Sequence, residues 1–141
     1  MTSTAFDIQL LNKAIYDRLK TDAAGASVRA LLGGAGSVIH AVNVGSKPTR
    51  PFVALRAGAI PGASREVRIP AFTWWVYDDK EKGYAKIGDI LEAIEAAYTT
   101  TPISLSTTVV DRVEVANIGA ETSDEELALL VRTLQLAAYV L

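Results

Sequence analysis

The chain has 141 residues, of which 50% are hydrophobic and 21% are charged. This composition excludes a disordered chain and predicts a single globular domain over residues 1–141. The 14 Lys and Arg residues against 16 Asp and Glu residues give a net charge of −2, which argues against nucleic-acid recognition. Cysteine is absent, so disulfides and thiolate chemistry are excluded. The most apolar stretch, Leu127 to Leu141, is too short and too polar to span a bilayer, and no signal peptide is expected.

The N-terminal third predicts two helices. Thr4 is the expected N-cap of the first, and Asp7 places a carboxylate near its amino end. A second, short helix is predicted from Ser27 to Leu32, between Gly25 and the Gly33-Gly34 pair. The buried stripe of the first helix is predicted to hold Ile8, Leu11, Ile15 and Leu19.

Three strands are predicted in the middle of the chain. The β-branched run Val38 to Val44 and the segment Phe52 to Ala57 are the first two, separated by a proline-containing connection. A flexible loop, Gly58 to Ser64, precedes the third strand, Glu66 to Tyr77, in which Pro70 marks an edge, a bulge or a break. Both faces of this strand are apolar, which indicates that it is covered on both sides or lies at an interface.

The C-terminal half predicts a charged turn, a helix and two further elements. The turn is Asp78 to Gly83, the helix Tyr84 to Tyr98, and the next strand Val109 to Ala116. The last segment is ambiguous. Ser123 and Glu126 resemble a capping box of a helix, whereas Leu130, Leu134, Leu136 and Val140 share one face of a strand. The element order favours an α+β helix–sheet sandwich, with a mainly antiparallel sheet flanked by two main helices.

Candidate catalytic groups are few. His40 is the only histidine and lies in an apolar strand, so we expect it to be structural. Asp78 and Asp79 suggest a divalent cation, but Lys80 and Lys82 would compete for their carboxylates. The glycines of 33–36 predict a turn, because neither a Lys-Ser/Thr pair nor a helix follows as in a phosphate loop. We therefore predict no catalysis, no cofactor and no metal.

Two features predict protein–protein contact. Trp74 and Trp75 are adjacent on a strand and point to opposite faces, so one indole needs a covering helix or a partner. The Gly58–Ser64 loop is either a hairpin or an arm that reaches a neighbouring subunit. Arg65 and Arg68 follow it closely and are either a local basic patch or two solvated side chains.

The order of elements resembles tail terminator, or tail completion, proteins of long-tailed bacteriophages. The stretches that carry the resemblance are Ile8 to Leu19 leading to Ser27–Gly33, the segment Arg50 to Leu55, the strand Phe72 to Asp78, and the helix Ile87 to Tyr98. The resemblance implies a homo-oligomeric ring, a hexamer in that family, that caps the tail tube protein and meets a head completion or connector protein. It also implies that Leu127 to Val140 is the final strand.

The expected location is the neck end of the virion tail, with the host cytoplasm as the site of assembly. The candidate interface residues come from the loop arm, the two-faced strand and the charged loops at the rim: Ile60, Arg65, Arg68, Trp75, Asp79, Lys80, Glu125 and Glu126. Two alternatives stay open at this point. One is another phage neck or connector component, and the other is a small ligand-binding regulatory domain with a concave apolar pocket.

Overall fold

The structure is a computed structural model that describes residues 8–40, 49–57, 69–105, 110–126 and 128–140. The predicted N-cap Thr4, the loop 58–64 and the interface candidates Ile60, Arg65 and Arg68 lie outside these ranges, as does the predicted strand extension 41–44. The described helices are α1 (Ile8–Lys20), α2 (Ala26–Leu32) and α3 (Ala85–Thr99). The described strands are β1 (Val38–His40), β2 (Phe52–Ala57), β3 (Ala71–Asp79), β4 (Val110–Ile118), β5 (Thr122–Asp124) and β6 (Leu129–Val140).

The strands form one sheet in the order β1-β2-β3-β6-β4, with β5 also pairing with β6. Only the β1–β2 pair of the described sheet is parallel, with Val38 opposite Val53, and the other pairs are antiparallel. The helices pack on one face of this sheet. The predicted α+β class with a mainly antiparallel sheet is confirmed.

The main core lies between the helices and this face of the sheet. The predicted stripe of α1 is buried at Leu11, Ile15 and Leu19, and each fully buried aliphatic side chain contributes about 1.5–3 kcal/mol. Trp74 is fully buried here, and its Nε1 donates to the Tyr98 hydroxyl at 2.9 Å. That hydroxyl donates in turn to the Ile15 carbonyl, so α1, α3 and β3 share one hydrogen-bonded chain. The buried residues of α3 recur at helical spacing and face the same core: Ile87, Ile90, Leu91, Ile94, Ala97 and Tyr98.

Arg18 ties the end of α1 to the end of α3. Its guanidinium donates to the carbonyls of Ala97 (3.1 Å), Thr101 (3.0 Å) and Pro102 (2.8 Å), although the residue is only 5% exposed. These carbonyls lie at the C-terminal end of α3, where a helix leaves carbonyls unsatisfied and its dipole favours a cation. The charged side chain therefore caps a neighbouring helix.

Gly25 allows the chain to pass closely over the end of α1. A Cβ atom at this position would lie 2.1 Å from the Arg18 carbonyl oxygen and 2.8 Å from the Leu19 Cα. Any other residue would therefore clash with backbone atoms. Gly33 has a different role, because its φ of +87° places it in the left-handed region and lets it cap the C-terminus of α2.

The predicted C-terminal end of β3 was wrong, whereas its start directly after Pro70 agrees with a break at that proline; residues 66–68 of the predicted strand lie outside the described ranges. The strand begins at Ala71, directly after Pro70, and continues through Asp78 and Asp79, which we had assigned to the charged turn. The ladder to β6 extends this far because Asp78 and Asp79 pair with Leu130 and Leu129. The turn starts only after the strand, with a 3₁₀ helix over Lys80–Lys82.

The C-terminal segment is a strand, as the family resemblance implied, and the capping-box interpretation is wrong. Leu134, Leu136 and Val140 share the face that packs in the main core, and Leu130 packs against the same core. The Ser123 hydroxyl donates to Glu125 Oε1 at 2.7 Å instead of capping a helix. Twelve residues of β6 pair with β3 on one side and with β4 and β5 on the other, and this tertiary pairing decides between the two periodicities.

Strand β4 continues two residues beyond its predicted end, to Ile118. Its register to β6 shifts between Val110 and Arg112 and again between Val115 and Asn117. Such bulges bend a strand and re-aim its side chains. The second shift places Ile118 opposite Leu134, whose side chain faces the helices.

Candidate assembly surfaces

The face of the sheet opposite to the helices carries a second apolar cluster, here called the open-face cluster. No residue of the described helices belongs to it. The rings of Phe52 and Tyr77 stack with centroids 4.8 Å apart, and burial raises the pKa of the Tyr77 hydroxyl. The cluster consists of five buried residues, with the half-buried Ile39 and Trp75 packed against them: Phe52, Ala54, Tyr77, Leu129 and Val131.

Trp75 occupies the centre of this face. The prediction that the two tryptophans point to opposite sides is confirmed, and Trp74 is the one in the main core. Trp75 is half-buried and stacks on Tyr77 with centroids 6.5 Å apart. Its Nε1 is buried and has no hydrogen-bond acceptor among the described residues. A large, half-buried aromatic side chain on the outer face of a sheet is typical of a surface that receives a partner.

The charged loops predicted at the rim lie side by side at one end of the sheet. Lys80 Nζ donates to Glu125 Oε2 at 2.7 Å, and this bond is the main reason that the pKa of the exposed Glu125 carboxyl is lowered. Arg50 Nη1 donates to Asp79 Oδ1 at 2.8 Å. Glu126 is exposed beside Glu125. The structure therefore brings four of the predicted interface residues together, which we call the rim: Asp79, Lys80, Glu125 and Glu126.

The carboxylates of Asp78 and Asp79 do not form a metal pair. Asp78 is fully buried, and its Oδ1 accepts from the Asp79 backbone amide, whereas the Asp79 side chain pairs with Arg50. Successive strand residues point to opposite faces, which separates the two carboxylates. In the described ranges, no group of three or more metal-ligating side chains comes together. Over the same ranges, no helix is long and apolar enough to cross a membrane.

An open pocket of about 390 Å³ lies between α1 and the β1–β2 edge, and we call it the edge-β1 pocket. The ring of Tyr16 stacks on His40 with centroids 4.0 Å apart and an interplanar angle of 12°. The Tyr16 hydroxyl donates to the Val38 carbonyl at 2.9 Å, which fixes the ring against β1. The described residues that line the pocket are Gln9, Asn12, Lys13, Tyr16, His40 and Leu55.

Sequence reasoning missed this pocket. His40 was expected to be a structural histidine of an apolar strand, but it is exposed at the sheet edge and its ring forms part of the pocket wall. The one available signal was Tyr16, an aromatic residue just outside the predicted stripe of α1. Its partner His40 lies 24 positions further along the chain, so their contact depends on the packing of α1 over β1.

The architecture defined by these elements is an α+β sandwich with one helical layer over a mainly antiparallel sheet. No protein-family model and no curated protein matches the chain. Among solved structures, a chain from the virion of a native gene transfer agent particle superposes with a TM-score of 0.75 over 94% of this chain and 95% of that chain, at 22% identity. A second solved structure gives a TM-score of 0.61 over 97% of both chains, at 13% identity. The chain thus shares its fold, over 94% of its length, with a chain of a gene transfer agent virion.

Proposed function

We propose that the protein is a non-enzymatic structural component of a phage-like virion, and specifically a tail terminator. In this role, copies of the chain form a ring, with six copies as the expected number, that caps the tail tube and ends its polymerisation. The observation that carries the proposal is the fold shared over 94% of the chain with a chain of the gene transfer agent virion. The proposed location is the neck end of the tail, after assembly in the host cytoplasm.

The rim and the half-buried Trp75, which packs on the open-face cluster, are the surfaces we assign to the axial partners, the tail tube protein and the head completion protein. Trp75 and Asp79 belong to the same face of β3, so the aromatic side chain and the charged rim lie on the same side of the sheet. An apolar centre with charged groups at its edge is the usual anatomy of a protein interface. The segment 58–68, with Ile60, Arg65 and Arg68, is proposed to contribute to the same contacts.

The proposal is tested with the purified protein and with tail tubes polymerised from the tube protein of the same particle. We expect a ring-shaped density at one end of each tube by negative-stain electron microscopy. We also expect shorter tubes when the protein is present during polymerisation. Binding along the tube wall, or no binding and unchanged tube lengths, would contradict a terminator. Density on the head connector but never on tubes would indicate another neck component.

The edge-β1 pocket is the observation that favours a ligand-binding domain as the second candidate. Its volume falls at the lower end of the range for small-molecule sites, and it is lined by aromatic, amide and charged side chains. That function predicts a stable monomer or dimer that a small ligand stabilises against heat. A screen of ligands by thermal shift, compared between the wild type and Tyr16→Ala, distinguishes it from assembly.

A further inference from the structure

Strand β4 ends in an exposed apolar side chain with acidic neighbours. Ile118 is 50% exposed and is the one exposed large hydrophobic residue in the described ranges. It lies beside α3, and together with Glu92, Glu95 and Arg132 it borders a depression. The Arg132 guanidinium donates through Nε to the Gly119 carbonyl of its own chain at 3.2 Å. Both glutamates are exposed. We call Ile118, Glu92 and Glu95 the edge-β4 patch.

The edge-β4 patch and the edge-β1 pocket lie at opposite ends of the same layer. The sheet order places β1 and β4 at its two edges, four strand intervals apart, which corresponds to about 19 Å. Ile118 is in register with Leu134, and Leu55 packs in the main core, so both surfaces lie on the helical side of the sheet. Two different patches at opposite edges of one layer are the arrangement that a head-to-tail ring requires.

The two surfaces are also complementary in shape and charge. The edge-β1 pocket is a concavity with apolar walls from Tyr16 and Leu55, whereas Ile118 projects. Lys13 lines the pocket and its side chain is 73% exposed, although its ammonium group also pairs with Asp17 of its own helix. Glu92 and Glu95 would face this lysine if Ile118 entered the pocket.

We propose that the edge-β1 pocket receives Ile118 of a second copy of this chain, with Glu92 and Glu95 of that copy facing Lys13. This inference rests on the proposed ring and identifies the lateral contact that closes it. Desolvation of the pocket and of Ile118 supplies the attraction, and the charges at the margin set the orientation. The contact is heterologous, so Ile118 never meets Ile118 of another copy.

The absence of cysteine in the chain allows a direct test by disulfide crosslinking. The double variant Ile118→Cys/His40→Cys is oxidised with copper phenanthroline, alone and in the presence of tail tubes. We expect a ladder of covalent multimers that ends at the ring number. An internal disulfide is not possible, because the two positions lie at opposite sheet edges and a disulfide needs Cα atoms within about 7 Å. Ile118→Cys/Asn12→Cys serves as a second probe of the pocket.

Each single cysteine variant is the matched control and should stay uncrosslinked. Efficient dimers from Ile118→Cys alone would show a two-fold contact and overturn the proposal. Rings on tubes without crosslinks in either double variant would overturn this lateral contact while leaving the terminator function standing. No rings and no tube binding by the wild type would overturn both. Without any cysteine, Ile118→Asp should abolish ring formation on tail tubes, and because half of this side chain is already exposed the unfolding midpoint should change little.

Discussion

The guanidinium of Arg18 joins the ends of α1 and α3, and replacing this residue with methionine measures how much that junction stabilises the fold. Methionine keeps most of the aliphatic packing and removes three donated hydrogen bonds. The carbonyl of Ala97 belongs to a residue that is only 3% exposed, so losing its partner costs about 2 kcal/mol. Thr101 and Pro102 are exposed residues whose carbonyls can bond to water instead. Losing the hydrogen bond from Arg18 therefore costs about 0.5 kcal/mol at each of these two carbonyls.

The expected loss of stability is therefore about 3 kcal/mol. Urea unfolding followed by tryptophan fluorescence is the assay, because Trp74 lies in the same core. With a urea dependence of about 2 kcal/mol per molar, the midpoint should fall by about 1.5 M. The midpoint of Arg18→Lys should lie between those of the wild type and Arg18→Met. Lysine keeps the charge but lacks the planar guanidinium that donates to several carbonyls at once.

Arg112→Met is the matched control, since its guanidinium pairs with two carboxylates at the surface and is half-exposed. Its midpoint should fall by no more than about 0.5 M, because exposed ion pairs contribute little and the stacking of this guanidinium on the Tyr139 ring contributes about 0.5–1 kcal/mol. If Arg18→Met shifted the midpoint no more than Arg112→Met, the reasoning about the buried junction would be refuted.

Three further outcomes are expected. Gly25→Ala should lower the free energy of unfolding by about 3 kcal/mol in thermal denaturation, because the added Cβ would meet backbone atoms. Gly88→Ala, within α3 and with open space around the added Cβ, should raise it by about 0.5–1 kcal/mol. A change of the same sign in both variants would contradict this reasoning. Burial raises the pKa of Tyr98 well above its usual value, so the folded state keeps a proton that the unfolded state releases above about pH 10. Stability should therefore fall as pH rises past 10, and Tyr98→Phe should flatten that fall in alkaline urea titrations; an equal slope in both proteins would show that Tyr98 is not the source. Glu125→Lys removes the exposed ion pair with Lys80. It should weaken binding to tail tubes in a pelleting assay and leave the melting temperature unchanged. Unchanged binding would show that the rim is not part of the interface.

The helices could be predicted from the sequence because their signals are local. The stripe of α1 and that of α3 repeat at the helical period, and Gly33 ends α2 through its backbone conformation. Strand β2 was also placed at its observed bounds, Phe52–Ala57, because a proline-containing connection sets its start. Propensity and periodicity act over a few residues, and the sequence displays both directly.

The parts that depend on pairing could not be predicted in this way. Asp78 appeared to belong to a turn, but its place in β3 comes from its ladder to Leu130. Strand β6 fits the helical and the strand period equally well, and only its neighbours in the sheet select one. The edge-β1 pocket arises where Tyr16 and His40 meet across two elements. Such contacts follow from tertiary packing, which the sequence pattern does not display.

The central claim is that copies of this chain close into a ring on the end of a tail tube. Electron microscopy of tail tubes mixed with the protein, with class averages of the tube ends viewed down the axis, tests it most directly. The account predicts one ring at one end of each tube, with six-fold rotational symmetry and subunits of 15.0 kDa. Bare tube ends, with the protein remaining a compact monomer by light scattering, would contradict it.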